Sequence, residues 1–94
     1  MAGTLRITAD QVIGREDQPV RVYSVTLVSG GTGSTLSLNN GDAAGDTANK
    51  QIDGTANVAV TVNYNGGALF TDGCFANVDA NISYATIEYE VEVP

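Results

Sequence analysis

Ninety-four residues make one small domain with a thin core, of a size that buries roughly 60–65% of its unfolded surface. Four basic residues (Arg6, Arg15, Arg21, Lys50) face eleven acidic ones, for a net charge of -7, the reverse of the basic footprint that nucleic acids require and a field that anionic membranes repel. There is no histidine and one cysteine, Cys74, which excludes Ser-His-Asp and Cys-His catalysis, His-ligated zinc and an intrachain disulfide.

The N-terminus, Met1-Ala2-Gly3-Thr4, has no basic region followed by an apolar one, so no secretory signal is expected. No apolar run approaches the ~20 residues of a membrane-spanning helix. The expected site of synthesis and folding is a reducing cytoplasm. Val, Thr, Ile and Tyr are abundant, and Gly, Asn and Asp punctuate them about every 8–12 residues, the rhythm of an all-β sandwich or barrel.

In chain order, Thr4–Ala9 is the first predicted strand, with Leu5, Ile7 and Ala9 on one face. Asp10–Pro19 is a polar excursion interrupted by Val12 and Ile13. Val20–Ser29 is predicted as the longest strand, with Tyr23, Val25 and Leu27 on one face and Val20, Val22 and Val28 on the other. Gly30-Gly31-Thr32-Gly33 is expected to form a hairpin loop. Ser34–Asn39 follows with Leu36 and Leu38 in register, and then Asn39–Asn49, the least structured stretch. Lys50–Asp53 is a short strand that ends at an Asp-Gly turn. Asn57–Tyr64 is a strand with Val58, Val60, Val62 and Tyr64 inward, and Asn65-Gly66-Gly67 is expected to turn the chain before Ala68-Leu69-Phe70. Thr71-Asp72-Gly73 turns it again into Cys74–Asp79. From Ser83 to Val93 the chain alternates without a break: Ala85, Ile87, Tyr89, Val91 and Val93 one way, Thr86, Glu88, Glu90 and Glu92 the other. The expected fold is all-β, a compact antiparallel sandwich of about eight short strands in jelly-roll or similar Greek-key order. Residues 1–94 are expected to form a single domain, and the sequence leaves open whether residues 1–19, which hold the first strand, join the sandwich, swap as an N-terminal arm about the Gly14–Pro19 hinge or anchor on another subunit.

The acidic face of the closing strand raises the question of chemistry. Glu88 and Glu90 are spaced roughly 6.5–7 Å along a strand, which an inverting glycosidase pair tolerates. Such pairs sit in aromatic-lined clefts, and this chain has no tryptophan. A solvating ladder that discourages edge pairing is the reading the residues favour. The oxygen-rich loop Asn39-Asn40-Gly41-Asp42…Asp46 lacks the spacing of a calcium-binding loop, and its residue types are those of ordinary turns. Asp53, Asp72 and Asp79 are further oxygen donors whose meeting in space the sequence leaves open. No catalytic, cofactor-binding or metal-binding residue is therefore assigned. Cys74, in register with Ala76 and Val78, is expected to be a buried, inert thiol. Tyr84, on the acidic face, is the candidate for ligand contact, and Val12, Ile13, Leu69 and Phe70 are the candidates for contact with a neighbouring protein.

From Val20 onward the text resembles small β-rich virion proteins of tailed bacteriophages, marine and cyanobacterial ones above all. The resemblance rests on VRVYSVTLVSGGTGSTLSLNNG at 20–41, on DGTANVAVTVNYNGGALFTDGCFANVDAN at 53–81 with its Leu69-Phe70-Thr71-Asp72-Gly73-Cys74 turn, and on the closing alternating strand. It implies a non-enzymatic structural protein of the virion: a capsid decoration (cement) protein, a head fibre or knob, or a tail accessory. The partners it implies are further copies of the chain, a homotrimer being favoured, and the major capsid protein or another virion protein, on the capsid surface. A fibre or tail module that binds a host glycan or receptor is the alternative.

Overall fold

The computed structural model describes residues 2–15, 18–41, 43 and 47–92, with backbone alone at Ala2 and Thr47. Eight strands run in chain order: β1 (Ala2–Ile7), β2 (Gln11–Ile13), β3 (Val20–Ser29), β4 (Thr35–Asn40), β5 (Thr47–Asp53), β6 (Ala59–Phe70), β7 (Cys74–Val78) and β8 (Ile82–Val91). They form two four-stranded sheets in the orders β1-β8-β3-β6 and β2-β7-β4-β5, every pairing antiparallel.

That order has a simple origin. The first half of the chain pairs with the second half in reverse, β1 with β8, β2 with β7, β3 with β6 and β4 with β5, as one long hairpin ribbon. Rolling the ribbon brings β3 against β8 and β4 against β7 and closes the two sheets over each other. This is the jelly roll, a two-sheet solution to burying the apolar faces of eight strands. The molecule measures 42 × 26 × 18 Å along its principal axes.

The core lies between the sheets and follows from alternation. Val20, Val22, Val25 and Leu27 of β3, Leu36 and Leu38 of β4, Cys74 and Ala76 of β7, and Ala85 and Ile87 of β8 are all fully buried. The inward set on β3 is spaced 20, 22, 25, 27, so it does not keep a strict period of two. A bulge at Tyr23 absorbs the extra residue and puts all four on one face, where strict alternation would divide them between two. Tyr23, which strict alternation puts on the face of Val25 and Leu27, faces out.

Other expectations shift for similar reasons. β1 starts at Ala2 and ends at Ile7, so Ala9 lies outside it and is exposed. Gly30–Gly33 is no hairpin: it carries the chain from β3 in one sheet to β4 in the other. Asn65–Gly67 does not reverse the chain. It is a bulge inside β6, the longest strand at 12 residues. β8 is a central strand, paired with β1 on one side and β3 on the other, so its carboxylates guard no sheet edge. β1 and β2 pair within the chain's own sheets. Val93 and the acidic positions Asp42 and Asp46 lie outside the described residues.

Candidate binding surface

Two irregularities in the first sheet meet at one place. Val22 pairs with Tyr89 and Ser24 with Glu88, which makes Tyr23 the additional residue on β3. On the other side Val22 pairs with Ala68 and Ser24 with Asn63, so residues 64–67 of β6 bow out beside Tyr23. Gly66 and Gly67 carry this bow with φ of 76° and 85°. These are left-handed conformations that cost other residues roughly 1–2 kcal/mol. A Cβ on Gly67 would also overlap Arg21 Cγ and stand 3.1 Å from Tyr23 Cε1, so the glycine is what lets both side chains lie across the bow.

The side chains around the bow hold one another. Arg21 Nε donates to Glu92 Oε1 at 2.6 Å, and Nη1 donates to the Gly66 carbonyl at 3.2 Å. Tyr23 OH donates to Glu90 Oε1 at 3.0 Å. The hydrogen bond to Glu92 raises the Arg21 pKa, and the hydrogen bond to the Glu90 carboxylate raises that of the Tyr23 phenol. Both groups thus keep their protons and their partners throughout the neutral range. Leu69 lies opposite Arg21 on β6 and is 44% exposed, and Tyr23 is 37% exposed. A shallow hollow of about 330 Å³ adjoins them, lined by Gly3, Thr4, Tyr23, Glu88 and Tyr89. Beyond it, on the outer face, Thr86, Thr26 and Thr61 stand in one row across β8, β3 and β6, with the Thr26 and Thr61 hydroxyls 3.0 Å apart.

The arrangement suits recognition. A tyrosine ring and a guanidinium, two of the side-chain types that dominate binding energy at protein interfaces, stand on one sheet face with an exposed leucine opposite the guanidinium's strand position. Their hydrogen bonds fix the rotamers before any partner arrives, which lowers the ordering cost of association. Two of the three aligned carboxylates, Glu90 and Glu92, hold Tyr23 and Arg21 in place, while Glu88 is exposed.

The candidates named from sequence fare differently. Leu69 is at this surface. Phe70 and Ile13 are 1% and 0% exposed and belong to the core, so neither is available as a contact for a neighbour. Val12 is half-buried on β2 opposite Phe75, away from Leu69 on the other sheet. Tyr84 does lie outward on the acidic face of β8, but the Arg6 guanidinium covers its ring at 4.0 Å from the centroid, where a sugar would stack. Asp53 and Asp79 both reach Thr35, one at the hydroxyl and one at the backbone N–H, while Asp72 is tied to Asn40 at the other end of β4. Among the described residues no three Cys, Asp or Glu groups converge as a metal site would require. Tyr23 and Arg21 were missed by the sequence reading. The signal that finds them is the three-residue step from Val22 to Val25 within an otherwise alternating strand, together with the Gly-Gly pair of β6.

The two glycines separate backbone strain from crowding. Gly66→Ala is expected to cost about 1 kcal/mol, for conformation alone, because open space surrounds that position. Gly67→Ala is expected to cost about 2–4 kcal/mol, since the added methyl also displaces Arg21. Urea denaturation of both variants checks the difference, and equal losses would show that Arg21 does not pack on the bow.

Comparison of the chain with protein-family models, with curated proteins and with solved structures finds no match.

Proposed function

We propose that this chain is a non-enzymatic structural protein of a tailed-phage virion that decorates the capsid, binding the shell through the Tyr23–Arg21–Leu69 surface of its first sheet. The resemblance of the 20–41 and 53–81 segments to small virion proteins supplies the class. The observation that carries the binding role is the hydrogen-bonded cluster at the β3–β6 bulges, which holds Arg21 and an exposed Tyr23, with exposed Leu69 opposite Arg21 on β6. Decoration adds contact area across capsomer joints, so that opening the shell must also break those contacts. A standard interface buries ~1,600 Å² in total, and the effect multiplies over many copies. The net charge of -7 keeps free copies soluble and away from the packaged genome.

Electron microscopy of the particle tests the location: density for this chain is expected on the head surface, and density confined to the tail would reject decoration. Tyr23→Ala is expected to weaken capsid binding by at least about 30-fold, the scale of a central aromatic anchor, with little loss of fold stability. Co-sedimentation with purified heads reads that loss directly.

A further inference from the structure

Among the described residues four strand edges have no strand beside them, β1 and β6 in one sheet and β2 and β5 in the other. Natural sheets blunt such edges with shortness, charge or proline, because an edge presents unpaired N–H and C=O groups to any other strand. β2 is only three residues long. β1 carries Arg6, and β5 carries Lys50 and Asp53. Although the Lys50 ammonium of β5 lies 5.6 Å from the Tyr64 ring centroid, β6 carries no such guard of its own. Its sequence, AVTVNYNGGALF, contains no charged residue and no proline, in a chain of net charge -7. The Asn65–Gly67 bow interrupts only its second half. The first half is a regular strand whose inward residues Val60, Val62 and Tyr64 are but partly covered, and Val58 just before it is 48% exposed.

We propose that the Ala59–Tyr64 edge is a pairing site for the same edge of a second copy, giving a two-fold dimer with one continuous eight-stranded sheet. Charge permits a second copy as the occupant at this edge, and the residue pattern selects it. Most of the surface of one acidic molecule repels another, and β6 is the long edge on which two copies meet with no carboxylate opposite a carboxylate. The pattern is also self-complementary. A two-fold axis at Thr61 sets Thr61 opposite its own counterpart, Val60 opposite Val62, and Val58 opposite Tyr64. Residues of like parity then face the same way, so both sandwiches lie on one side of the joined sheet and the valines of each copy cover those of the other. Pairing over about seven residues is far below the ~20–30 residues a side of a stable complex, so the dimer forms at micromolar concentrations or above. This inference does not rest on capsid binding, which uses the outer face at the far half of β6.

Sedimentation velocity from about 1 µM to about 1 mM tests it. The wild-type chain is expected to pass from monomer to dimer over that range. Thr61→Lys, at an exposed site, opposes two ammonium groups at the axis and is expected to raise the dissociation constant at least about 30-fold. Gln51→Lys, the same charge change on the exposed face of β5, is expected to leave it unchanged. Hydrogen exchange of the wild-type chain is expected to show amides within 59–64 becoming more protected as concentration rises, a readout that stands if Thr61→Lys fails to fold. A monomer throughout, a trimer, a dimer that survives Thr61→Lys in folded form, or protection that ignores concentration would each overturn the proposal.

Discussion

Phe70→Ala is expected to lower the unfolding free energy by about 3–5 kcal/mol, and Leu69→Ala by less than about 1 kcal/mol, although the two residues are neighbours. The strand geometry decides this. Phe70 lies opposite Val20 on the inner face of β6 and is 1% exposed, the largest of the fully buried side chains. Its removal loses the burial of a whole ring and leaves a void that the sheets above and below close only in part. Leu69 points the other way, beside Arg21, and meets water over nearly half its surface. A domain of this size has ~5–10 kcal/mol in total, so the Phe70 loss is a large share of it. Urea midpoints of the two variants measure the contrast. A mild Phe70 variant with a crippled Leu69 variant would mean that the face of β6 has been assigned the wrong way round.

Stability is expected to fall steeply in alkali, and Cys74 sets the window. Burial pushes its thiol pKa from an ordinary 9.0 up to about 12. Below pH 9 the thiol is protonated whether the chain is folded or not, and its contribution is complete. Above that the unfolded chain ionises while the folded one cannot, so folding loses about 1.4 kcal/mol per pH unit until the folded thiol itself ionises, about 4 kcal/mol in all. Tyr64, whose phenol is raised by desolvation, and Tyr23, raised by its bond to Glu90, act in the same direction at higher pH. Urea midpoints taken between pH ~8 and ~11 are expected to fall more steeply for the wild-type chain than for Cys74→Ala. Parallel slopes for the two proteins would show that the thiol ionises in the folded state. The same burial makes the thiol inert to alkylation until the chain unfolds.

Most of the architecture was legible in the sequence because strand alternation is a local signal. Seven of the eight strands lie in segments marked by alternation, as do the pairing of Leu36 with Leu38 on one face and the inward set Ala85, Ile87, Tyr89 and Val91; β2 falls instead in the Asp10–Pro19 stretch that reads as a polar excursion, and β6 reads as two strands. What was not legible depends on partners across the sheet. Tyr23 sits in a run that alternates well enough to be assigned to the core, and only its neighbours Tyr89 and Ala68 reveal the slip that turns it outward. Gly66-Gly67 reads as a hairpin turn from composition. The same left-handed backbone here bends a continuous strand, because β3 pairs with β6 on both sides of it. Phe70 and Ile13 read as surface anchors because they stood in short apolar segments beside polar ones, whereas rolling of the ribbon carries both into the core. The carboxylates of β8 were legible as a ladder, but their service to Tyr23 and Arg21 was not, since it depends on which strand lies beside β8.

The central claim is that the bulged face of the first sheet binds a virion shell. Native mass spectrometry of purified phage heads mixed with this chain tests it most directly, with the wild-type protein set against a Tyr23→Ala, Leu69→Ala double variant. The account predicts saturable, stoichiometric loading of the wild-type chain, and loading at least about 30-fold weaker for the double variant at a nearly unchanged urea midpoint. Heads that take up no wild-type protein, or that load the double variant equally well, would contradict it.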